Sequence, residues 1–427
     1  MTIHAWKHVW IVEPGKAPLY GNFVIQEETI LGSGDVDIPE GAVVHEGKGR
    51  WILPGFVNTH GHAAASLMRG AGDDMMLQDW LEQVMWPREK QMNEHHAAAG
   101  QDLALVEMLK TGTTTFLDMY HLGVRRLAEK TAEIGMKAVI GRGMISFGSD
   151  SANQAKLEET RSLIKDFHGY DNRLRVCVAP HAPYTCPPAF LQQASELAHT
   201  EGVLLHTHCA ETTQEVRQHI KSYGLHPVDH LYQLGLFDNE LLLAHAVHVQ
   251  DSHLELMAAH RTAVAVNTVS NAKLGSGIPP YVKMKEKGVR TGLGTDSAAS
   301  NNNLSMIEEM RFTAMLPKAY EQNPAATHAG SVWQDATVHG ADILGFPGSG
   351  SLAPGSPADF LIADPQQSFS VPFSPEKAAS HLVYSMQSDA VKSVWISGRE
   401  LMRERELLTL DEEKVLYEAD KSAAGLL

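Results

Sequence analysis

Cysteine is scarce in this 427-residue chain: there are three, Cys177, Cys186 and Cys209, with no paired spacing. So odd and sparse a set cannot form a disulfide framework. It suits a reducing compartment, and cytoplasm is the expected setting. Long apolar runs are missing too. No stretch approaches the roughly 18–20 residues of a membrane span, and residues 1–14 read as a β-strand rather than as a charged-then-apolar signal peptide. Basic runs are also absent, and 35 Lys+Arg stand against 51 Asp+Glu for a net charge of −16. An acidic surface repels phosphate backbones and anionic lipid, so neither nucleic acid nor a membrane is expected as a partner. There is no low-complexity tract, no repeat at solenoid spacing, and no glycine-rich dinucleotide loop after a first strand.

What is present is ample core material, 43% hydrophobic with 20% charged residues. Short strand-like pieces at 5–12, 21–26 and 42–46, punctuated by Gly and Pro, suggest a small β-sandwich. From residue 52 the rhythm changes. Apolar runs at 52–59, 113–119, 138–143, 174–180, 203–208, 241–245, 262–267 and 289–295 alternate with amphipathic helical stretches. Strands alternating with helices imply a parallel sheet, and eight such runs predict a (β/α)8 TIM-like barrel. The 302–346 region reads as helical. Strand rhythm returns at 358–363 and 390–395, with a turn at Ser397-Gly398. The expected division is a barrel over 55–356 and a discontinuous β-sandwich domain built from both termini, 1–54 and 357–427.

Barrel enzymes carry their chemistry at the C-terminal ends of the strands. The first run ends in His60-Gly61-His62, two histidines at i and i+2 that face the same side of an extended chain. The fifth ends in His206-Thr207-His208-Cys209-Ala210-Glu211, the sixth in Ala244-His245, and the eighth in Gly294-Thr295-Asp296. Imidazole is the commonest borderline-soft metal ligand, and a carboxylate can bind metal or act as a base. Any one of these residues could be a cap or a packed polar group, since the chain holds 23 histidines. His206, two residues deeper in its strand, reads as a packed or hydrogen-bonded histidine. Several strand ends aimed at one mouth are harder to attribute to coincidence.

With those motifs, including Pro54-Gly55-Phe56-Val57-Asn58-Thr59-His60-Gly61-His62 and Gly292-Leu293-Gly294-Thr295-Asp296, the sequence resembles the metal-dependent amidohydrolase superfamily over nearly its whole length. Within it the chain looks most like the 5-methylthioadenosine/S-adenosylhomocysteine deaminases. That likeness rests on Trp86-Pro87-Arg88-Glu89, Gly141-Arg142-Gly143, Pro180-His181-Ala182-Pro183-Tyr184 and Ser270-Asn271-Ala272-Lys273-Leu274-Gly275-Ser276-Gly277. The resemblance implies a metal held by His60, His62, His208 and Asp296. Binuclear relatives need a bridging lysine at the end of strand four, and none is here. One divalent metal per subunit is therefore expected, zinc suiting the ligands and iron or nickel able to substitute.

The resemblance also implies hydrolytic deamination of an adenine nucleoside, a small molecule without phosphate. Asp296 would deprotonate water, His245 would hydrogen-bond it, and Glu211 would shuttle the proton to the ring. Substrate contacts would come from Glu89 to the ribose hydroxyls, from His181 and Arg142, and from Trp86 as a pocket wall. Glu211 and Asp296 would touch the substrate as well. Met68, Met75, Met76 and Met85 would form an adaptable lid. Two departures stand out. The subfamily's Asn-Pro before Ser-Asn is here Asn267-Thr268-Val269-Ser270-Asn271. The 146–154 segment lacks the second Arg that some relatives turn towards a carboxylate-bearing tail, so S-adenosylhomocysteine is expected to be a poorer substrate. The alternative enzyme acts on a guanine, cytosine or triazine-type ring. A non-enzymatic barrel, like the structural relatives of dihydropyrimidinases, would have lost ligands that this chain keeps. A symmetric homo-oligomer is expected from the resemblance.

Overall fold

The computed structural model describes residues 2–366 and 371–426; residues 1, 367–370 and 427 of the expected terminal domain lie outside the described residues. Two sheets organise the chain. The first is a parallel eight-stranded sheet in sequential order from Phe56–Asn58 to Arg290–Leu293. It is drawn closed by first-to-eighth contacts: Thr59 N–H donates to Leu293 O at 2.8 Å and Asp296 N–H to His60 O at 3.0 Å. This is the expected barrel, and its seam brings the His60-Gly61-His62 turn beside Asp296.

Barrel strands such as Thr113–Tyr120 and Leu241–His245 are buried at every position, as strands covered on both faces must be. Their inward side chains, among them Val57, Leu117, Met119, Val139, Cys177 and Leu242, fill the interior. Ile343, Leu344 and Phe346 close it at the opposite end from the strand-end histidines. The outward side chains pack on the helices. One such helix, Glu94–Thr111, starts where the Asn93 side chain accepts from the amides of His95 and His96 while His96 Nδ1 accepts from Asn93 N. It stops at Gly112, whose φ of 93° is costly for a side-chain-bearing residue.

The second sheet has nine strands and mixes both ends of the chain: Ile3–Ile11, Leu19–Gln26 and Thr29–Gly34 join Trp51–Pro54, Phe360–Ala363, Val391–Ile396 and Arg399–Arg403. Trp6, Phe23, Phe360 and Trp395 stack within its core. The single run read at 52–59 is two strands, one in each sheet. The chain switches sheets at Gly55, where a Cβ would lie 2.2 Å from Thr114 Oγ1. The strand Thr29–Gly34 was not legible as one, because glycine and serine dilute its alternation. A buried ion pair ties the sheets together: Lys137 Nζ lies 2.5 Å from Asp359 Oδ2 and 3.1 Å from Ser349 Oγ. Among the described residues no helix is long and apolar enough to cross a membrane, and all three cysteines are buried and free.

Candidate active site

Three of the strand ends leave the sheet through strained backbone. Ala210, His245 and Asp296 have φ of 54°, 72° and 60°. A non-glycine residue held there costs about 1–3 kcal/mol and persists only where surrounding contacts enforce it. Those contacts are visible. Glu215 is buried and accepts from Ala210 N at 2.9 Å and Glu211 N at 2.7 Å. Asn267 Oδ1 accepts from His245 N, and its Nδ2 donates to Gly294 O. Asn58 Oδ1 accepts from Thr295 N at 3.0 Å.

Five side chains meet at one point where these strand ends converge. His60, His208, His245 and Asp296 present ligand-type atoms within 4.8 Å of one another. His62 belongs with them, because its Nε2 lies 3.1 Å from Asp296 Oδ1 and 3.3 Å from His208 Nε2. Orientation separates their uses. His62 Nδ1 donates to Met119 O and His208 Nδ1 donates to His181 O, so Nε2 is the lone pair of each neutral ring, the form His62 takes once a metal displaces the proton its Nε2 shares with Asp296. His60 Nε2 is buried without a hydrogen bond, 3.4 Å from Asp296 Oδ1. Asp296 Oδ2 is occupied by the Ser270 and Ser300 hydroxyls at 2.6 and 2.7 Å, so Oδ1 is the oxygen left for the cluster. Three imidazole Nε2 atoms and one carboxylate oxygen are a donor set for a divalent borderline metal, and the orphaned His60 Nε2 is the atom such an ion would satisfy. His245 differs. Its Nδ1 meets Asn271 Oδ1 at 2.8 Å and its Nε2 faces Glu211 Oε2 at 3.6 Å.

Burial dominates the electrostatics. It lowers His60 to about 4, despite the raising effect of Asp296. Burial also opposes charge on His62, but the hydrogen bond and charge of Asp296 outweigh it and raise His62 to about 9. Glu211 is raised to about 7, first by burial and further by Asp296 and Glu215, against the opposing pull of His245. A carboxyl group near 7 can both give and take a proton at neutral pH.

Above the cluster opens a cavity of about 600 Å³ whose lining includes His62, His208, Glu211, His245 and Asp296 together with Trp86, Glu89, Arg142 and His181. His60 alone of the expected site residues lies beneath it. Glu89 Oε1 accepts from the Tyr120 hydroxyl at 2.9 Å, which fixes the carboxylate and leaves its second oxygen for a ligand. His181 Nδ1 lies 2.9 Å from Thr185 Oγ1, a hydroxyl that also sits 3.2 Å from Ala182 O; with the hydroxyl proton on that carbonyl, Nδ1 donates and Nε2 accepts. Arg142 is already engaged, with Glu159 at 2.8 Å and Gly143 O at 2.6 Å.

The expected methionine lid is reduced to one member. Met85 lines the cavity, Met68 is buried in the packing behind it, and Met76 is 59% exposed, because these residues fall on different faces of the turns after the first strand. Leu77, Trp80, Leu81, Ile145 and Phe147 supply the rest of the apolar wall. The departure at Thr268 leaves the site intact, since Ser270 and Asn271 still reach Asp296 and His245 from the helix Thr268–Lys273. Nothing in the sequence singled out Glu215, Tyr120 or Ser300. Each acts on a partner through the fold, and only the S/T-x-x-E spacing of Thr212 and Glu215 is a local signal.

Residues 51–401 match the model of the amidohydrolase family. A relative from Halalkalibacterium halodurans named 5-methylthioadenosine/S-adenosylhomocysteine deaminase is 44% identical over 380 residues, 88% of this chain and 86% of its own. A zinc-bound adenosine deaminase from Xanthomonas campestris superposes with a TM-score of 0.92 at 29% identity, over 100% of this chain and 98% of that one. A triazine hydrolase from Arthobacter aurescens, at 20% identity and a TM-score of 0.91 over 99% of this chain and 100% of that one, shares the fold. By the extent of the family match and by its identity to the first of these relatives, this chain belongs to the amidohydrolase family.

Proposed function

We propose that the protein hydrolyses the C6–amino bond of 5'-substituted adenosines, 5'-methylthioadenosine foremost, releasing ammonia and an inosine-type product. The observation that carries this reading is a single cavity lined both by the proton-handling set Glu211, His245 and Asp296 and by the Tyr120-anchored Glu89. His60, His62 and His208 through Nε2, and Asp296 through Oδ1, would hold one metal, for which zinc fits the donor set. The fourth strand, Leu174–Pro180, has no lysine to bridge a second ion. When bound, such a metal supplies Lewis acidity that lowers the pKa of water from ~16 towards ~7.

The side chains do the proton work. Asp296 accepts a proton from the attacking water. His245 turns Nε2 to the same point and steadies the oxygen as it bonds to C6. Glu211, protonated near neutrality, donates to the ring nitrogen beside C6 and so lets the ring accept electrons. A second proton, the one first taken by Asp296, goes to the amino group, which departs as ammonia with the electron pair of the C6–N bond while the C6 hydroxyl becomes the carbonyl and returns its proton to Glu211. His181, neutral because burial lowers it to about 3, offers the nucleoside an acceptor at Nε2. Glu89 takes the ribose hydroxyls. The apolar wall of Leu77, Trp80, Leu81, Met85 and Phe147 receives the 5' substituent.

A substrate panel followed by ammonia release tests this reading. 5'-Methylthioadenosine and adenosine are expected to turn over. S-Adenosylhomocysteine is expected to have a kcat/KM about tenfold lower, because the 146–154 segment has no arginine to meet its carboxylate-bearing tail and one charge-assisted hydrogen bond carries about 1.5 kcal/mol. Ammonia from guanine, cytosine or a triazine, with none from any adenosine, would overturn the reading. A second expectation concerns Glu89. Glu89→Ala loses about 100-fold in kcat/KM on the nucleoside through two lost charge-assisted hydrogen bonds, yet is unchanged on free adenine. An equal loss on both compounds would remove Glu89 from ribose binding.

A further inference from the structure

His62 and His208 have their tautomers set directly by backbone carbonyls, whereas His60 has not. Its Nδ1 meets a second imidazole, His206 Nε2, at 2.8 Å. His206 is fully buried, and its Nδ1 lies 2.9 Å from Leu242 O. A carbonyl oxygen only accepts, so His206 Nδ1 carries the proton. A neutral ring then has a bare Nε2, and a charged one at this depth would stand against the His60 and His208 rings with no carboxylate bonded to it, which burial disfavours. A bare His206 Nε2 accepts from His60 Nδ1–H, and that in turn leaves His60 Nε2 as a lone pair. This is the atom that is buried without a hydrogen bond in the cluster.

We infer that His206 is a positioning residue for the metal centre: it relays the Leu242 carbonyl through two rings, so that His60 presents a bare Nε2 and cannot turn away. The inference rests on the reading of His60 as a ligand. The need for a relay follows from place. The His60 ring sits at the middle of the site, with centroids 4.8 Å from His62, 4.8 Å from His208 and 5.6 Å from His245. His206 packs beneath it at 5.0 Å, and the carbonyl bonded to the pair, Leu242 O, meets the other nitrogen of His206. Without the relay, His60 divides between two tautomers, one of which points a proton at the ion, and its ring is free to rotate. Outer partners of metal-bound histidines typically carry roughly 10–100-fold of metal affinity. The two histidines of 206–208 therefore serve the same centre at different depths.

The test reads zinc affinity by competition with a chromophoric chelator, beside folding checked by circular dichroism. His206→Phe is expected to bind zinc roughly 10–100-fold more weakly. His206→Gln, whose Oε1 can accept from His60 and whose amide can donate to Leu242 O, is expected to recover most of the loss. His60→Ala is the control for the ligand set. If it loses zinc while His206→Phe binds as tightly as the parent, the relay is wrong and the ligand set stands; if both keep parental affinity, the ligand set itself is wrong. Should His206→Phe not fold, nitrogen-15 NMR of the zinc-loaded parent decides. The Nδ1–H tautomer at His206 is expected, and Nε2–H there would overturn the inference.

Discussion

Glu211→Gln is expected to lower kcat on 5'-methylthioadenosine by about 1,000-fold, within the range of general acid–base catalysis, and to leave metal content unchanged. The substitution keeps shape and keeps an oxygen for Ser276, whose hydroxyl lies 3.3 Å from Glu211 Oε1. It removes only the carboxyl proton. Burial raises that group to about 7, so near neutrality it exists in both forms and can cycle between donating to the ring and recharging. An amide cannot. The metal should be indifferent to the change, since Glu211 is outside the cluster formed by His60, His208, His245 and Asp296. Stopped-time assays with metal content measured on the same sample check both halves. A kcat within tenfold of the parent would remove Glu211 from proton transfer, and loss of metal would make it a ligand instead.

Stripping metal with a chelator is expected to lower turnover by at least about 1,000-fold, because Lewis-acid activation supplies several kcal/mol and each 1.4 kcal/mol is tenfold in rate. The residues that remain cannot replace it. Asp296 is held well below the usual carboxylate range by His60 and His62, against the raising effect of burial, and so weak a base does not ionise free water. The structure also explains why the loss should be reversible. Asp296 Oδ2 is anchored by two serines, and the Nδ1 atoms of His62 and His208 are anchored by carbonyls. These donor atoms are held by partners of their own, so the site would be in place before an ion binds.

These two effects draw on different layers of the sequence. The barrel, and the polar residues that end its strands, were legible because both are local: an apolar run announces a strand, and its last polar residue announces what faces the mouth. The same locality separated His208 from His206, whose two-residue offset places one ring in the cavity and the other beneath. What makes these residues work was not legible. Ser270 reaches Asp296 from 26 positions away and Tyr120 reaches Glu89 from 31, and no pattern in the chain couples either pair. Gly55 read as part of one strand because its role, passing beside Thr114 between two sheets, exists only once both sheets do. The methionine lid failed for a similar reason. Hydrophobicity was right for Met68 and Met85, but which faced the ligand was decided by turns that the composition does not encode.

One titration addresses both the metal stoichiometry and the deamination. Zinc is added to the metal-free protein while the absorbance change from adenine to hypoxanthine chromophore and the ammonia released from 5'-methylthioadenosine are followed together. The expected result is activity rising linearly to a plateau at one zinc per chain, with one ammonia per inosine-type product. A plateau at two zinc ions, activity independent of zinc, or a fully loaded protein that releases no ammonia would contradict it.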